Sequence, residues 1–377
     1  MTAPRYAARA LALSLSLSAF GAICVIGVTP PAMAARSSPV GGEQLARGGV
    51  IVNLEPGVPA PPAMPGASFL VADMDTGQIL AARAPHTPLR PASTLKTLTA
   101  LTLIPRLDPN QEILVQPEDV RVEGSRVGIL AGTRYTVRSL LQGLLLASGN
   151  DAAFALARAN QSVAVTLEQM NATALELGAL DTVAKDPSGL DQPGETSSAY
   201  DLALIGRAAM KLPSFRSYVS TRAATVPGGR SGGKVVPAFK INNHNRLLYN
   251  YEGAIGIKNG YTVAAQQTFV AAATRGGKTY IVTELASPNG SWRPTAALLD
   301  WAFAHGAALT PIGQLVEPGT TTGPGGSAEA KNPAGSPPGM PSSLPPVLPP
   351  WIGVAGLLGG VALIGAWAAR GISRRRT

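Results

Sequence analysis

The sequence predicts an α/β domain of the α+β kind, a sheet completed by both ends of the folded unit with a helical lobe inserted between them and one transmembrane helix after it. Three observations predict it. Strand patterns open and close the unit, helical periodicity fills its middle, and a 19-residue uncharged apolar run lies near the C-terminus.

The opening strands are Ser68 to Asp73 and Gln78 to Ala81, joined by a turn at Asp75-Thr76-Gly77, which reads as a β-hairpin. Thr94 to Ile104 then carries apolar residues at helical spacing until Pro105 stops it. Val137 to Ala147 and Ala152 to Ala159 read as two helices parted by Ser148-Gly149-Asn150. Three apolar strands close the unit: Ile255 to Gly260, Gln267 to Thr274 and Thr279 to Leu285. No internal repeat is visible.

Around this unit the chain divides by composition. Residues 1–34 have the layout of a secretory signal: Arg5 and Arg9, an apolar stretch from Ala10 to Val28, helix-ending Pro30 and Pro31, and Ala32-Met33-Ala34 before the cleavage point. Cys24 lies inside it with Ile23 before it, a poor lipoprotein site. The mature chain is therefore expected to hold no thiol and no disulfide. Residues 35–66 form a Pro/Gly-rich segment, 67–308 the folded domain, and 309–350 a second Pro/Gly-rich linker; neither rich stretch is expected to bury enough apolar surface to fold. An extended linker of this kind would reach roughly 100 Å.

Residues 351–369 make a helix about 28 Å long, close to the thickness of a bilayer core. The arginines of the tail, 370–377, are expected to stay in the cytoplasm and leave the domain on the outer face of the cell membrane. Arg5, Arg9, Arg370, Arg374, Arg375 and Arg376 supply six of the nine net positive charges. The basicity belongs to the ends of the chain, so a nucleic-acid partner is not expected.

Within the domain, Ser93-Thr94-Leu95-Lys96 puts a hydroxyl and an amine one helical turn apart, at a helix N-terminus whose free N–H groups can hold an oxyanion. The spacing alone is weak, since Ser231-Gly232-Gly233-Lys234 repeats it among glycines and reads as a loop. Ser-x-Asn likewise occurs twice: at Ser148-Gly149-Asn150, after a helix, and at Ser287-Pro288-Asn289, an ordinary turn. Lys258-Asn259-Gly260-Tyr261-Thr262 sets a cation, a glycine that admits close approach, and a hydroxyl on one face of a strand. His86, His244 and His305 are scattered and without cysteine, so neither a metal nor any other cofactor is expected.

In their order and spacing Ser93-x-x-Lys96, Ser148-x-Asn150 and Lys258-Asn259-Gly260 resemble the three active-site motifs of penicillin-binding proteins and serine β-lactamases. Arg90-Pro91-Ala92, Ser-Gly-Asn-Asp-Ala-Ala from Ser148, Asp186-Pro187-Ser188-Gly189-Leu190 and Asn245-Arg246-Leu247-Leu248 make the chain most similar, within that group, to the D-alanyl-D-alanine carboxypeptidases.

The resemblance implies a β-lactamase/transpeptidase-like fold, an antiparallel sheet flanked by helices with an inserted all-helical lobe. It implies peptidoglycan stem peptides as substrates and β-lactam antibiotics as covalent inhibitors. Ser93 would be the nucleophile and Lys96 its base, with Ser148 relaying a proton to the leaving D-alanine. Asn150 would bind the substrate amide, and Lys258 with Thr262 the terminal carboxylate. The backbone N–H groups of Ser93 and Tyr261 would form the oxyanion hole. Asn259 departs from the family's Thr or Ser, although its amide can still donate to a carboxylate. A β-lactamase, a D,D-endopeptidase and a catalytically weakened wall-binding protein remain as alternatives. Against the first, no Glu-x-x-Leu-Asn stands between the second and third motifs, and Glu168-Gln169-Met170-Asn171 falls one residue short.

Overall fold

The computed structural model describes residues 38–320 apart from 289 and 291, and the predicted signal, transmembrane and tail segments lie outside that range. In chain order the strands and helices are β1 (Val50–Val52), β2 (Ser68–Asp73), β3 (Gln78–Arg83), α1 (Lys96–Leu103), β4 (Glu112–Leu114), α2 (Pro117–Val120), β5 (Arg134–Thr136), α3 (Val137–Leu146) and α4 (Asn150–Ala159). Then follow α5 (Val163–Glu176), α6 (Ala199–Ala209), α7 (Pro213–Ser220), β6 (Ala223–Val226), β7 (Gly229–Ser231), β8 (Lys234–Val236), β9 (Phe239–Asn242) and α8 (Leu247–Asn250). The chain closes with β10 (Ala254–Thr262), β11 (Gln266–Arg275), β12 (Lys278–Ser287), α9 (Arg293–His305) and β13 (Gly313–Gln314).

The main sheet is antiparallel, in the order β1-β3-β2-β12-β11-β10 with β13 also on β3. The N-terminal hairpin thus meets the three C-terminal strands at β2 and β12, as the order of patterns in the sequence predicts. Every residue of β2 is buried because both faces of the sheet are covered. Leu70, Ala72, Val270 and Ile281 point into the core shared with α1, α3 and α6. Their strand neighbours Phe69, Val71, Phe269 and Val282 point into the core under α9.

Three expectations need correction. The inserted lobe is not all helical: it carries the two-stranded pairs β4–β5, β6–β9 and β7–β8. These strands are three or four residues long, too short to show a period of their own. Residues 35–66 do not stand apart from the fold either. β1 pairs with β3, Leu45, Ile51 and Met64 are buried, and Trp301 Nε1 donates to Pro59 O at 2.9 Å. At the other end β13 also pairs with β3 and Leu315 is fully buried, so the domain runs past residue 308. Pairing with a hairpin already in place supplies the stability that the local composition lacks. Among the described residues no helix is long and apolar enough to cross a membrane.

Candidate active site

The chain reaches Ser93 through Ala92, whose φ of 47° sets up a 3-10 turn over Ala92–Leu95 that runs straight into α1. Lys96, the first residue of α1, is fully buried. Its Nζ lies 2.9 Å from Ser93 Oγ, 2.7 Å from Asn150 Oδ1 and 2.6 Å from the Ser188 carbonyl oxygen. Two of these oxygens can only accept a hydrogen bond. A neutral amine, with two protons and one lone pair, satisfies both and still takes a proton from the Ser93 hydroxyl. Burial, and after it the charge of Lys258, hold the Lys96 amine well below its ordinary value of 10.5.

Ser188 belongs to a loop that the sequence marks as Asp186-Pro187-Ser188-Gly189. Asp186 Oδ1 accepts from the Ser188 N–H at 2.6 Å and from the Ser188 hydroxyl, and Thr99 Oγ1 donates to Pro187 O at 2.7 Å. Glu195 Oε2 accepts from the N–H groups of Lys185 and Asp186. Gly189 has φ +79°, and a Cβ there would stand 2.0 Å from Ala92 O, so only glycine lets this loop close on the nucleophile turn. Asp186 and Glu195 are both buried and hold the loop from inside. Burial raises the Glu195 carboxyl to about 8.

The second motif spans the joint between α3 and α4. Ser148 takes a left-handed φ of 58°, and Asn150 is the first residue of α4 rather than part of the link. Besides accepting from Lys96, Asn150 donates from Nδ2 to Glu123 O at 2.6 Å, and it is 2% exposed. Its amide is therefore engaged with the protein at both ends, which makes it a positioning group for Lys96. Sequence reasoning missed the next residue, Asp151. Its carboxylate gathers the N–H groups of Val127, Gly128 and Ile129, pinning the loop that wraps the Asn150 side chain.

The third motif lies on β10, an edge strand. Lys258 is 1% exposed, its Nζ donates to Asn259 O at 2.6 Å, and burial lowers it to about 7. A Cβ on Gly260 would stand 2.7 Å from Ser93 N and 3.0 Å from Thr94 N, so β10 packs its backbone directly on the nucleophile turn. Thr268 Oγ1, from the neighbouring β11, ties the same turn through Pro91 O at 2.8 Å.

Other predicted residues are placed less centrally. Thr262 Oγ1 donates to Asp191 Oδ1 and accepts from Ala265 N, both at 2.9 Å, so it is held at the rim. Asn259 pairs with Phe269, and the pleat puts both on the α9 side of the sheet, away from Lys258. The Tyr261 side chain, which a packing role would bury, is 67% exposed. Ser231 and Lys234 are exposed cross-strand neighbours on the β7–β8 hairpin, a strand pair where the sequence suggested a loop. His244, which the sequence offered only as one of three scattered histidines, lies beside the second motif through its backbone. Its N–H donates to Leu146 O, two residues before Ser148, and burial together with the charge of Lys258 lowers its imidazole.

A buried lysine whose amine is pushed toward the neutral form, held between a serine hydroxyl and an asparagine and closed by a lysine-bearing edge strand, is built for acyl transfer through serine. The comparison with known families agrees. Residues 56–288 match the family model described as D-alanyl-D-alanine carboxypeptidase. The chain belongs to this family. With it the chain joins the serine hydrolases. A D-alanyl-D-alanine carboxypeptidase of Mycobacterium tuberculosis is 43% identical over 254 residues, which cover 66% of this chain and 85% of that protein. The crystal structure of a D-alanyl-D-alanine carboxypeptidase from the same organism superposes with a TM-score of 0.65 at 39% identity, over 70% of this chain and 99% of the other. That of a Streptomyces DD-transpeptidase superposes with a TM-score of 0.62 at 32% identity, over 65% and 100%. The family fold is thus the antiparallel sheet and inserted lobe described above.

Proposed function

We propose that this family member removes the terminal D-alanine from peptidoglycan stem peptides through an acyl-enzyme on Ser93. The observation that carries the reading is the environment of Lys96, where burial and then the nearby charge of Lys258 favour the uncharged amine while its Nζ lies 2.9 Å from Ser93 Oγ. Ser93 Oγ attacks the carbonyl carbon between the two D-alanines and its proton passes to Lys96 Nζ. The resulting oxyanion is held by the N–H groups of Ser93 and Tyr261. Collapse breaks the C–N bond, and a proton returned through Lys96 and Ser148 leaves with the D-alanine amine. Water then cleaves the ester and regenerates the Ser93 hydroxyl. Lys258, while charged, pairs with the substrate's terminal carboxylate.

β-Lactams enter the same path as far as the ester and stop there. Glu168, the nearest approach to a deacylating glutamate in the sequence, is exposed on α5. The full chain, incubated with a peptide ending in Lys-D-Ala-D-Ala, is expected to release free D-alanine. Ser93→Ala should lower the rate by at least about 10⁴-fold while Ser231→Ala leaves it unchanged. Equal loss in both variants would sink the assignment. Fast turnover of a chromogenic cephalosporin would favour the β-lactamase reading instead.

Residues 1–34, 351–369 and 370–377 support a location on the outer face of the cytoplasmic membrane, with the domain exported and the chain anchored at its C-terminal end. Protease added to intact spheroplasts should remove the catalytic domain and leave a membrane-protected C-terminal fragment. Protection of the whole chain would contradict that placement.

A further inference from the structure

Apart from the Ser93 site, His86, Asp181 and Asp201 bring one nitrogen and two carboxylate oxygens within 4.8 Å of one another. They come from separate parts of the chain: the stretch after β3, the loop after α5, and the first turn of α6. His86 Nε2 lies 3.0 Å from Val40 O, a fixed acceptor, so Nε2 carries a proton. Nδ1 then faces Asp181 Oδ2 at 3.0 Å. With a second proton the ring would donate here as an ion pair; without it a lone pair faces a carboxylate oxygen, and a metal cation between the two takes the proton's place.

Asp201 adds to the demand. It is 1% exposed, its Oδ2 already accepts from Asp181 N at 2.8 Å and Thr182 Oγ1 at 2.7 Å, and its Oδ1 is buried with no hydrogen-bond partner among the described residues. The Tyr200 ring stacks at a tilt on His86, centroids 4.5 Å apart, and holds the imidazole plane.

We infer that His86, Asp181 and Asp201 form a binding site for a divalent cation of the zinc class, separate from the catalytic centre. Nδ1 of His86 and one oxygen from each aspartate are the protein ligands, with a water in the fourth position. Two ligands of one tetrahedral zinc stand about 3.3 Å apart, so the His86–Asp181 pair has only a few tenths of an ångström to open. The donation of Nε2–H to a backbone carbonyl is the support that metal-bound histidines ordinarily have. Two carboxylates balance the charge of the ion, which suits a half-buried site. The ion acts as a clamp: it joins the N-terminal segment at Val40, the approach to the nucleophile turn, and both ends of the loop that carries Ser188.

The test uses the full chain without a polyhistidine tag, stripped by a chelator and titrated with zinc chloride in a calorimeter. One zinc per chain is expected, with a melting temperature several degrees higher when it is bound. Asp181→Asn and His86→Gln should weaken binding roughly tenfold or more, and His305→Gln should leave it unchanged. Should a variant fail to fold, cobalt(II) bound to the wild-type chain decides alone. Intense visible bands of a four-coordinate N/O site support the inference. No saturable uptake by the wild-type chain, a weak six-coordinate cobalt spectrum, or equal uptake by the folded Asp181→Asn and His86→Gln variants would overturn it.

Discussion

Gly260 and Ser93 touch through their backbones: a single added carbon on Gly260 would lie 2.7 Å from the Ser93 nitrogen, inside any allowed contact. The strand and the nucleophile turn are therefore spaced by the missing side chain.

Gly260→Ala is expected to push β10 away from Ser93 and spoil the oxyanion geometry. A lost oxyanion donor costs about 10²–10³ in rate. The acylation rate constant with penicillin should fall by that factor while circular dichroism still reports a folded chain. An unchanged acylation rate would show that β10 does not frame the reacting carbonyl.

The two lysines give kcat/KM a bell-shaped pH profile, and its limbs have opposite causes. The productive form has Lys96 neutral and Lys258 charged. Activity rises as pH increases through the depressed pKa of Lys96 and falls as pH increases through that of Lys258, about 7 in the free enzyme. Lys258→Arg keeps the cation and should move the falling limb up by at least about two pH units, because guanidinium does not deprotonate in this range. A falling limb that stays in place in the arginine variant would remove Lys258 from the profile.

Asp151→Ala leaves the N–H groups of Val127, Gly128 and Ile129 without their acceptor. At about 1–3 kcal/mol for each buried donor, partly recovered by relaxation, the loss should reach about 3 kcal/mol. That corresponds to a melting temperature lower by roughly 6–12 °C in a thermal scan. A change within 2 °C would mean that the loop finds other partners.

The chemistry of the site was legible in the sequence because it sits in short local patterns. Ser93 and Lys96 share a helical face, and Lys258 and Gly260 share a strand face, so spacing alone nearly builds the geometry. Lys96's third contact was not legible, since the Ser188 carbonyl is a backbone atom that any residue could supply. Asp151 and Glu195 were equally silent: each acts on N–H groups that only tertiary folding brings to it. The hairpin β2–β3 and the strands β10 to β12 announced themselves by length and by runs of apolar residues, as strands covered on both faces do. The strands β1 and β13 did not, because three and two residues carry no period and their stability comes entirely from β3.

Glu195 sets a slope of stability against pH. Its folded-state pKa, about 8, stands above its ordinary value of 4.5, so the folded chain binds the extra proton between those limits. Stability from this group is complete below about pH 4.5 and is lost as pH rises to about 8. Glu195→Gln keeps an oxygen for the Lys185 and Asp186 N–H groups and removes the titration. The variant should melt close to wild type at pH 4.5 and roughly 2–8 °C above it at pH 8. A gap that does not widen with pH would show that Glu195 is ionised throughout.

The position of β10 at the sheet margin has a consequence for how a peptide is read. Its outer ladder of N–H and C=O groups has no partner strand among the described residues, a state that usually invites unwanted association between molecules. Here that edge adjoins Ser93, so the stem peptide proposed as substrate is expected to dock there as a temporary last strand. Main-chain hydrogen bonds would then set the scissile bond in register before any side chain of the guest is inspected. Selectivity would be left to the small methyl groups of the two alanines and to the carboxylate that ends the peptide.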